Sequence, residues 1–202
     1  MPCAIWVMSK RGSRVQDAGA YLLQATAWSE SSLIARLFAR DYGIVTVVAK
    51  GAKRPYSVLR PVLSAFEPLL VSWSGQGEVK TLTRAELAGL HGLTGKSLMS
   101  AWYMNELLIR MLPGEDAHPQ LFDAYCEALQ QLAIGERASG SLRRFEWTLL
   151  QETGYGVPGA RPDFDEPAAE PGLRRMLRER IDEHLEKRPL MTRNVLLSLK
   201  QY

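Results

Sequence analysis

The sequence has 202 residues, 46% hydrophobic and 23% charged, which is enough apolar side chain to pack one domain or two small ones. Its formal net charge of +3, from 25 basic and 22 acidic residues, is too mild by itself to demand a nucleic-acid partner. Two distant cysteines, Cys3 and Cys126, exclude a disulfide framework and a cysteine-based zinc site, and no apolar stretch reaches membrane-spanning length, so a soluble, unsecreted protein of the reducing cytoplasm is expected.

The charge is unevenly placed. Residues 1–92 carry 11 Lys/Arg against 6 Asp/Glu, a balance of +5, and the remainder is slightly acidic at −2. This is the asymmetry expected when one part of a chain meets a polyanion and the other does not.

Residues 1–19 mix Gly, Ser, Arg and Gln with little periodicity after Met8 and read as a mobile arm. From Ala20, short runs rich in β-branched and aromatic residues follow one another: Ala20–Trp28, Leu33–Phe38 and Ile44–Ala49, separated by Ser29-Glu-Ser-Ser and Asp41-Tyr-Gly43. The Tyr42-Gly43 step suits a turn, because Gly tolerates positive φ. Pro68–Trp73 and Val79–Thr83, joined by the Gly-rich Ser74–Gly77, complete five strands. Five short strands without an intervening long helix predict a closed OB-like barrel over residues 20–90, since closure removes exposed sheet edges.

From residue 91 onward the pattern turns helical. Leu98, Trp102, Met104, Leu107, Leu108, Met111 and Leu112 recur at three- and four-residue spacing before Pro113-Gly114 stops the run. A second helix is expected over Pro119–Ala133 and a third from near Ser141 to Gly154-Tyr-Gly156. Val157–Gly172, rich in Pro, Gly, Ala and acid, reads as a linker, and a last helix is expected from Leu173 to about Lys187. The fold class is therefore α+β: an N-terminal five-stranded barrel followed by an all-α domain over residues 91–202.

The sharpest local feature is Lys50-Gly-Ala-Lys-Arg-Pro-Tyr-Ser-Val-Leu-Arg60, four cations in eleven residues with no acid, between two predicted strands. Lys50, Lys53, Arg54 and Arg60 suit contacts to phosphates, and Tyr56 suits stacking on a base. An ordinary solvated basic loop is the alternative. Trp28 and Trp73 are further stacking candidates, although core or hairpin packing is the commoner fate of such residues.

Catalytic options are poor. His91, His118 and His184 are scattered and belong to no ligand or nucleophile motif. Asp163, Asp165 and Glu166 offer a divalent-cation site for a metal-dependent nuclease, but in a segment without the rigid support such a site needs. Gly75 and Gly77 lack the third glycine and following helix of a nucleotide fingerprint. No cofactor, metal or catalytic residue is expected. Leu142-Arg-Arg-Phe-Glu-Trp147 places paired cations beside apolar residues on one helix, with Arg143 able to share a face with Glu146 or Trp147.

In order and wording these segments resemble the RecO family. The resemblance rests on Ser29-Glu-Ser-Ser-Leu-Ile, Gly43-Ile-Val-Thr-Val-Val-Ala-Lys-Gly-Ala-Lys-Arg, Ser57-Val-Leu-Arg, Phe66-Glu-Pro-Leu-Leu-Val, Gly75-Gln-Gly-Glu-Val-Lys-Thr-Leu and Ala85-Glu86. In the helical half it rests on Tyr103-Met-Asn-Glu-Leu-Leu, Leu121-Phe-Asp-Ala-Tyr, Leu142-Arg-Arg-Phe-Glu, Gly154-Tyr-Gly156 and Arg188-Pro-Leu-Met-Thr-Arg193. It implies an OB-fold, binding to single- and double-stranded DNA, annealing of complementary strands, and a non-enzymatic mediator role beside the nucleoid. It also implies contact with RecR and with the C-terminal tail of single-stranded DNA-binding protein (SSB), so that RecA is loaded. By the same resemblance Lys50, Lys53, Arg54 and Arg60 inherit the DNA role and Arg143 the tail contact; its helix neighbours Leu142, Phe145 and Leu149 are expected to line an apolar groove between helices. Two departures stand out: between Gly156 and Leu173 the family carries several tens of residues, in some members with a zinc finger absent here, and residues 1–19 exceed the usual family start.

Overall fold

The computed structural model describes residues 14–135, 138–166, 168–185, 189–192 and 195. It contains two compact units, one reaching to Gly92 and including Pro113–Pro119, the other formed by Leu93–Leu112 and the chain from Gln120 onward.

The first unit is a closed barrel of five strands: β1 (Arg14–Trp28), β2 (Ser32–Ala39), β3 (Gly43–Ala49), β4 (Pro68–Ser74) and β5 (Val79–Leu87). Their order around the barrel is β1-β2-β3-β5-β4, and only the β3–β5 pair is parallel. This is the OB-like barrel expected from the sequence. The long β1 makes closure possible, because its first half pairs with β4 and its second half with β2. Register shifts at Val15/Ala18 and Leu22/Gln24 bend it between the two partners, as bulges do. At the first shift Asp17 takes a positive φ of 48°, and its N–H donates to the Ser72 hydroxyl at 3.0 Å.

Strand alternation delivers Ala20, Leu22, Ala35, Leu37, Ala39, Val45, Val47, Leu69, Val71 and Trp73 to one interior cluster. Repeated alanines suit the narrow lumen of a five-stranded barrel, and Trp73 fills the remaining width with Tyr42 edge-on at 5.1 Å. Trp73 is therefore core. Leu37 is fully buried, so Leu37→Ala is worth about 2–5 kcal/mol of stability.

Residues 14–19 correct the expected arm: they are the start of β1, with Val15, Ala18 and Gly19 buried. The rest of that arm, residues 1–13, lies outside the described residues. Pro113–Pro119, which follows a helix of the other unit, packs with the barrel, and the Glu115 N–H donates to the Ile44 carbonyl at 3.1 Å.

A one-turn helix α1 (Leu59–Val62) lies between β3 and β4. The second unit holds α2 (Lys96–Met111), α3 (Pro119–Ile134), α4 (Ala138–Glu152) and α5 (Glu170–His184). Their apolar positions, including Met104, Leu107, Leu108, Phe122, Tyr125, Leu129, Phe145, Leu149, Leu177 and Ile181, are buried. The expected linker over 157–172 needs correcting. Phe164 is buried, lies edge-on to Trp147 at 6.4 Å and takes the Arg144 guanidinium over its ring, while α5 already begins at Glu170. No helix among the described residues is long and apolar enough to cross a membrane.

Candidate nucleic-acid interface

The basic loop leaves β3 at Ala49 and is pinned at both ends by apolar contacts. Ala52 is buried in the barrel core, and Leu59, Val62 and Leu63 pack against the same cluster. Between these anchors the backbone winds through successive turns, with the Ala52, Arg54, Ser57 and Arg60 N–H groups donating to the carbonyls of Ala49, Gly51, Arg54 and Ser57. Gly51, at φ +71°, makes the first reversal. With its apolar residues turned inward, the loop leaves Lys50, Lys53, Arg54, Tyr56 and Arg60 exposed; Tyr56 is 99% exposed.

A second tie comes from the turn between β1 and β2. The Lys53 N–H donates to the Ser31 carbonyl at 2.9 Å, and Lys53 Nζ donates to the Ser29 carbonyl at 3.1 Å. The loop and the hairpin tip are thus one hydrogen-bonded surface. Nothing local in the sequence announces this link, since it joins residues 22–24 positions apart through backbone groups.

Electrostatics sharpen the assignment. Arg40 pairs with Asp41, Arg84 with Asp17 and Glu86, and the buried Lys80 with Glu115 and the Gly77 carbonyl. Lys50, Lys53, Arg54 and Arg60 pair with no carboxylate among the described residues, and residues 42–66 contain no acid. This loop therefore gathers four cations of the first unit that meet no carboxylate among the described residues and can face phosphates.

The second candidate site comes out differently from its expectation. Arg143 is buried, and its Nε stands 3.1 Å from Glu146 Oε2, one helical turn away, in an ion pair whose alignment falls short of a hydrogen bond. Glu146 Oε1 accepts a hydrogen bond from the Tyr103 hydroxyl at 2.9 Å. Phe145 and Leu149 are fully enclosed, so neither lines an open groove as the sequence suggests; Leu142 alone of the three is partly exposed. Helical phase explains this, because Phe145, Leu149 and Glu146 fall on the face that α4 turns into its own unit. The next residue, Arg144, bridges Glu127 and Asp165.

The acidic segment offers no metal cage. Asp163 Oδ1 accepts from the Asp165 N–H at 2.9 Å, Glu166 Oε1 from the Ala168 N–H at 3.1 Å, and Asp165 faces Arg144. Among the described residues no group of three or more His, Cys, Asp or Glu is placed to hold a metal ion. The histidines are apart: His91 meets Tyr21, His118 faces Asp116, and His184 lies against Tyr155.

Comparison with known proteins decides the family. Residues 14–91 match the Recombination protein O N terminal family and residues 93–161 the Recombination protein O C terminal family. The chain belongs to the RecO family. It is 54% identical over 145 residues to a DNA repair protein RecO of Aromatoleum aromaticum, a match covering 71% of this chain and 60% of the relative. A namesake from Cupriavidus pinatubonensis is 53% identical over 152 residues, covering 75% of this chain and 52% of the relative. Against these RecO relatives the chain thus spans between about half and 60% of their length. The RecO protein of Ralstonia nicotianae is 38% identical over 234 residues, covering 93% of this chain and 86% of the relative. That alignment is longer than the whole chain, so this relative carries residues with no counterpart here.

Proposed function

We propose that the chain acts in DNA repair and recombination as a non-enzymatic mediator that binds single- and double-stranded DNA through the 50–60 loop. The observation that carries this reading is the set of four exposed cations on a hydrogen-bonded, acid-free loop of an OB-like barrel, in a chain of the RecO family. Lys50, Lys53, Arg54 and Arg60 neutralise successive phosphates, and Tyr56 stacks on a base. In the same reading the protein anneals complementary strands, engages RecR and the acidic SSB tail, and helps RecA onto SSB-coated strands. The resemblance of Leu142–Glu146 to the family supports Arg143 as the cation for that tail. Arg143 Nε faces Glu146, and the guanidinium carries further N–H donors with which to meet a tail carboxylate.

The test is annealing of complementary oligonucleotides with and without SSB bound to them. Acceleration in both cases is expected. No acceleration of naked strands would overturn the annealing role, and acceleration abolished by SSB would overturn the mediator role.

A further inference from the structure

We propose that Trp28 is a base-stacking platform for single-stranded DNA whose phosphates lie on the 50–60 loop, so that the tip of the β1–β2 hairpin forms the second half of the binding surface. The inference rests on the DNA-binding reading of that loop and adds the element that distinguishes unpaired from paired strands.

Trp28 is the last residue of β1, paired with Ser32 across the three-residue tip Ser29–Ser31. It is 57% exposed, whereas Trp73 in the same unit is buried in the core. An indole is large and apolar and is usually well buried, so one left exposed at a strand end forgoes much of the stability its burial would give. The hairpin does not need it: register is already fixed by the pairs from Ala20↔Ala39 to Ala27↔Leu33.

What makes the tip part of a DNA surface is its attachment. Lys53, whose ammonium meets no carboxylate among the described residues, donates from Nζ to the Ser29 carbonyl and from its backbone N–H to the Ser31 carbonyl, so the residue next to Trp28 is held directly by the basic loop. Tyr56 and Val58 are the other large exposed side chains of this assembly, at 99% and 80% exposure. Apolar faces beside unpaired cations match the two chemistries of a single strand, bases and phosphates. A duplex offers only the phosphates, because its bases are already stacked on one another. Glu30 is the single acid at the tip, and a phosphate track along Lys50, Lys53, Arg54 and Arg60 with only bases at the hairpin is compatible with it.

The experiment titrates the full chain and its Trp28→Ala and Trp28→Phe variants with three labelled probes: a dT oligonucleotide, an abasic strand of equal length, and a duplex. Stacking predicts that Trp28→Ala weakens dT binding by about 5- to 100-fold while abasic and duplex binding change less than about twofold, and that Trp28→Phe keeps most of the dT affinity. Trp28→Ala binding dT as the parent does would overturn the proposal. So would equal losses on dT and abasic strands, which would make the tip a support for the loop. Salt-sensitive binding that survives any of these outcomes leaves the loop reading standing, whereas a parent that binds none of the three probes overturns both.

Discussion

A Cβ placed on Gly43 would lie 2.0 Å from the carbonyl oxygen of Asp116, so the start of β3 and the segment after α2 are in backbone contact that only glycine permits. Gly43 also sits at φ +71°. Gly43→Ala therefore combines a left-handed conformation, costing a residue with a Cβ about 1–2 kcal/mol, with displacement of Pro113–Pro119 from the barrel. Urea denaturation should show a loss of at least that size. Asp116→Ala keeps the carbonyl and should stay within about 0.5 kcal/mol of the parent. Equal midpoints for Gly43→Ala and the parent would refute the contact.

DNA affinity should fall linearly with salt on a log–log scale, because loop cations that bind phosphates release condensed counterions. Lys53→Ala with Arg54→Ala should weaken binding to unrelated sequences alike and, on single strands, lower the salt slope by about 1.4. Lys53 also ties the loop to the hairpin tip, so Arg54→Ala with Arg60→Ala is the cleaner pair, and the same change in slope is expected. An unaltered slope in both double variants would remove the loop from the binding surface.

Much of this protein was legible in its residues. The barrel strands could be read because alternation and Gly turns are local signals, and four of the five lay within a few residues of their observed limits. The beginning of β1 was missed because Arg14-Val-Gln-Asp-Ala-Gly has a bulge where alternation should be, and it becomes a strand only by pairing with Val71 and Trp73 far along the chain. Phe164 was hidden in Pro-rich sequence for the same reason: its burial depends on Trp147 and Arg144. The cations at 50–60 stood out because no acid interrupts them, yet their link to Ser29 and Ser31 runs through backbone carbonyls, which no side-chain pattern encodes. At Arg143 the three-residue spacing to Glu146 pointed to the pair, but not to its burial.

That burial changes what Arg143→Ala should do. Removing one partner of a buried ion pair strands the other, typically at about 3–5 kcal/mol, so the single variant should destabilise the helical unit before any effect on a partner can be read. Arg143→Ala with Glu146→Gln removes the stranded charge and keeps an acceptor for the Tyr103 hydroxyl, and much of the stability should return. In that background an SSB-tail peptide should bind more weakly by about 1.5–3 kcal/mol, the worth of a hydrogen bond to a charged group. Unchanged peptide affinity in the stable double variant would sink the Arg143 assignment.

The barrel should weaken as pH falls through the histidine range because of His91. Its Nε2 lies 3.1 Å from the Tyr21 hydroxyl, its ring stacks on Tyr21 at 5.9 Å, and its backbone N–H donates to Glu67 at 2.5 Å. Burial pushes the imidazole below its ordinary value, and the Glu67 charge opposes this without cancelling it. Protonated, the imidazole can no longer accept a hydrogen bond at Nε2 and carries a charge into a half-buried site. The sign follows from linkage. The unfolded chain takes up the proton at about pH 6.5, and the folded chain only at lower pH. The contribution is thus complete above about pH 6.5 and is lost as pH drops through the folded value. Imidazole NMR resonances followed against pH should show His91 titrating below the ordinary range, its resonance assigned by its loss in His91→Asn. A His91 resonance titrating at or above about 6.5 would refute the prediction.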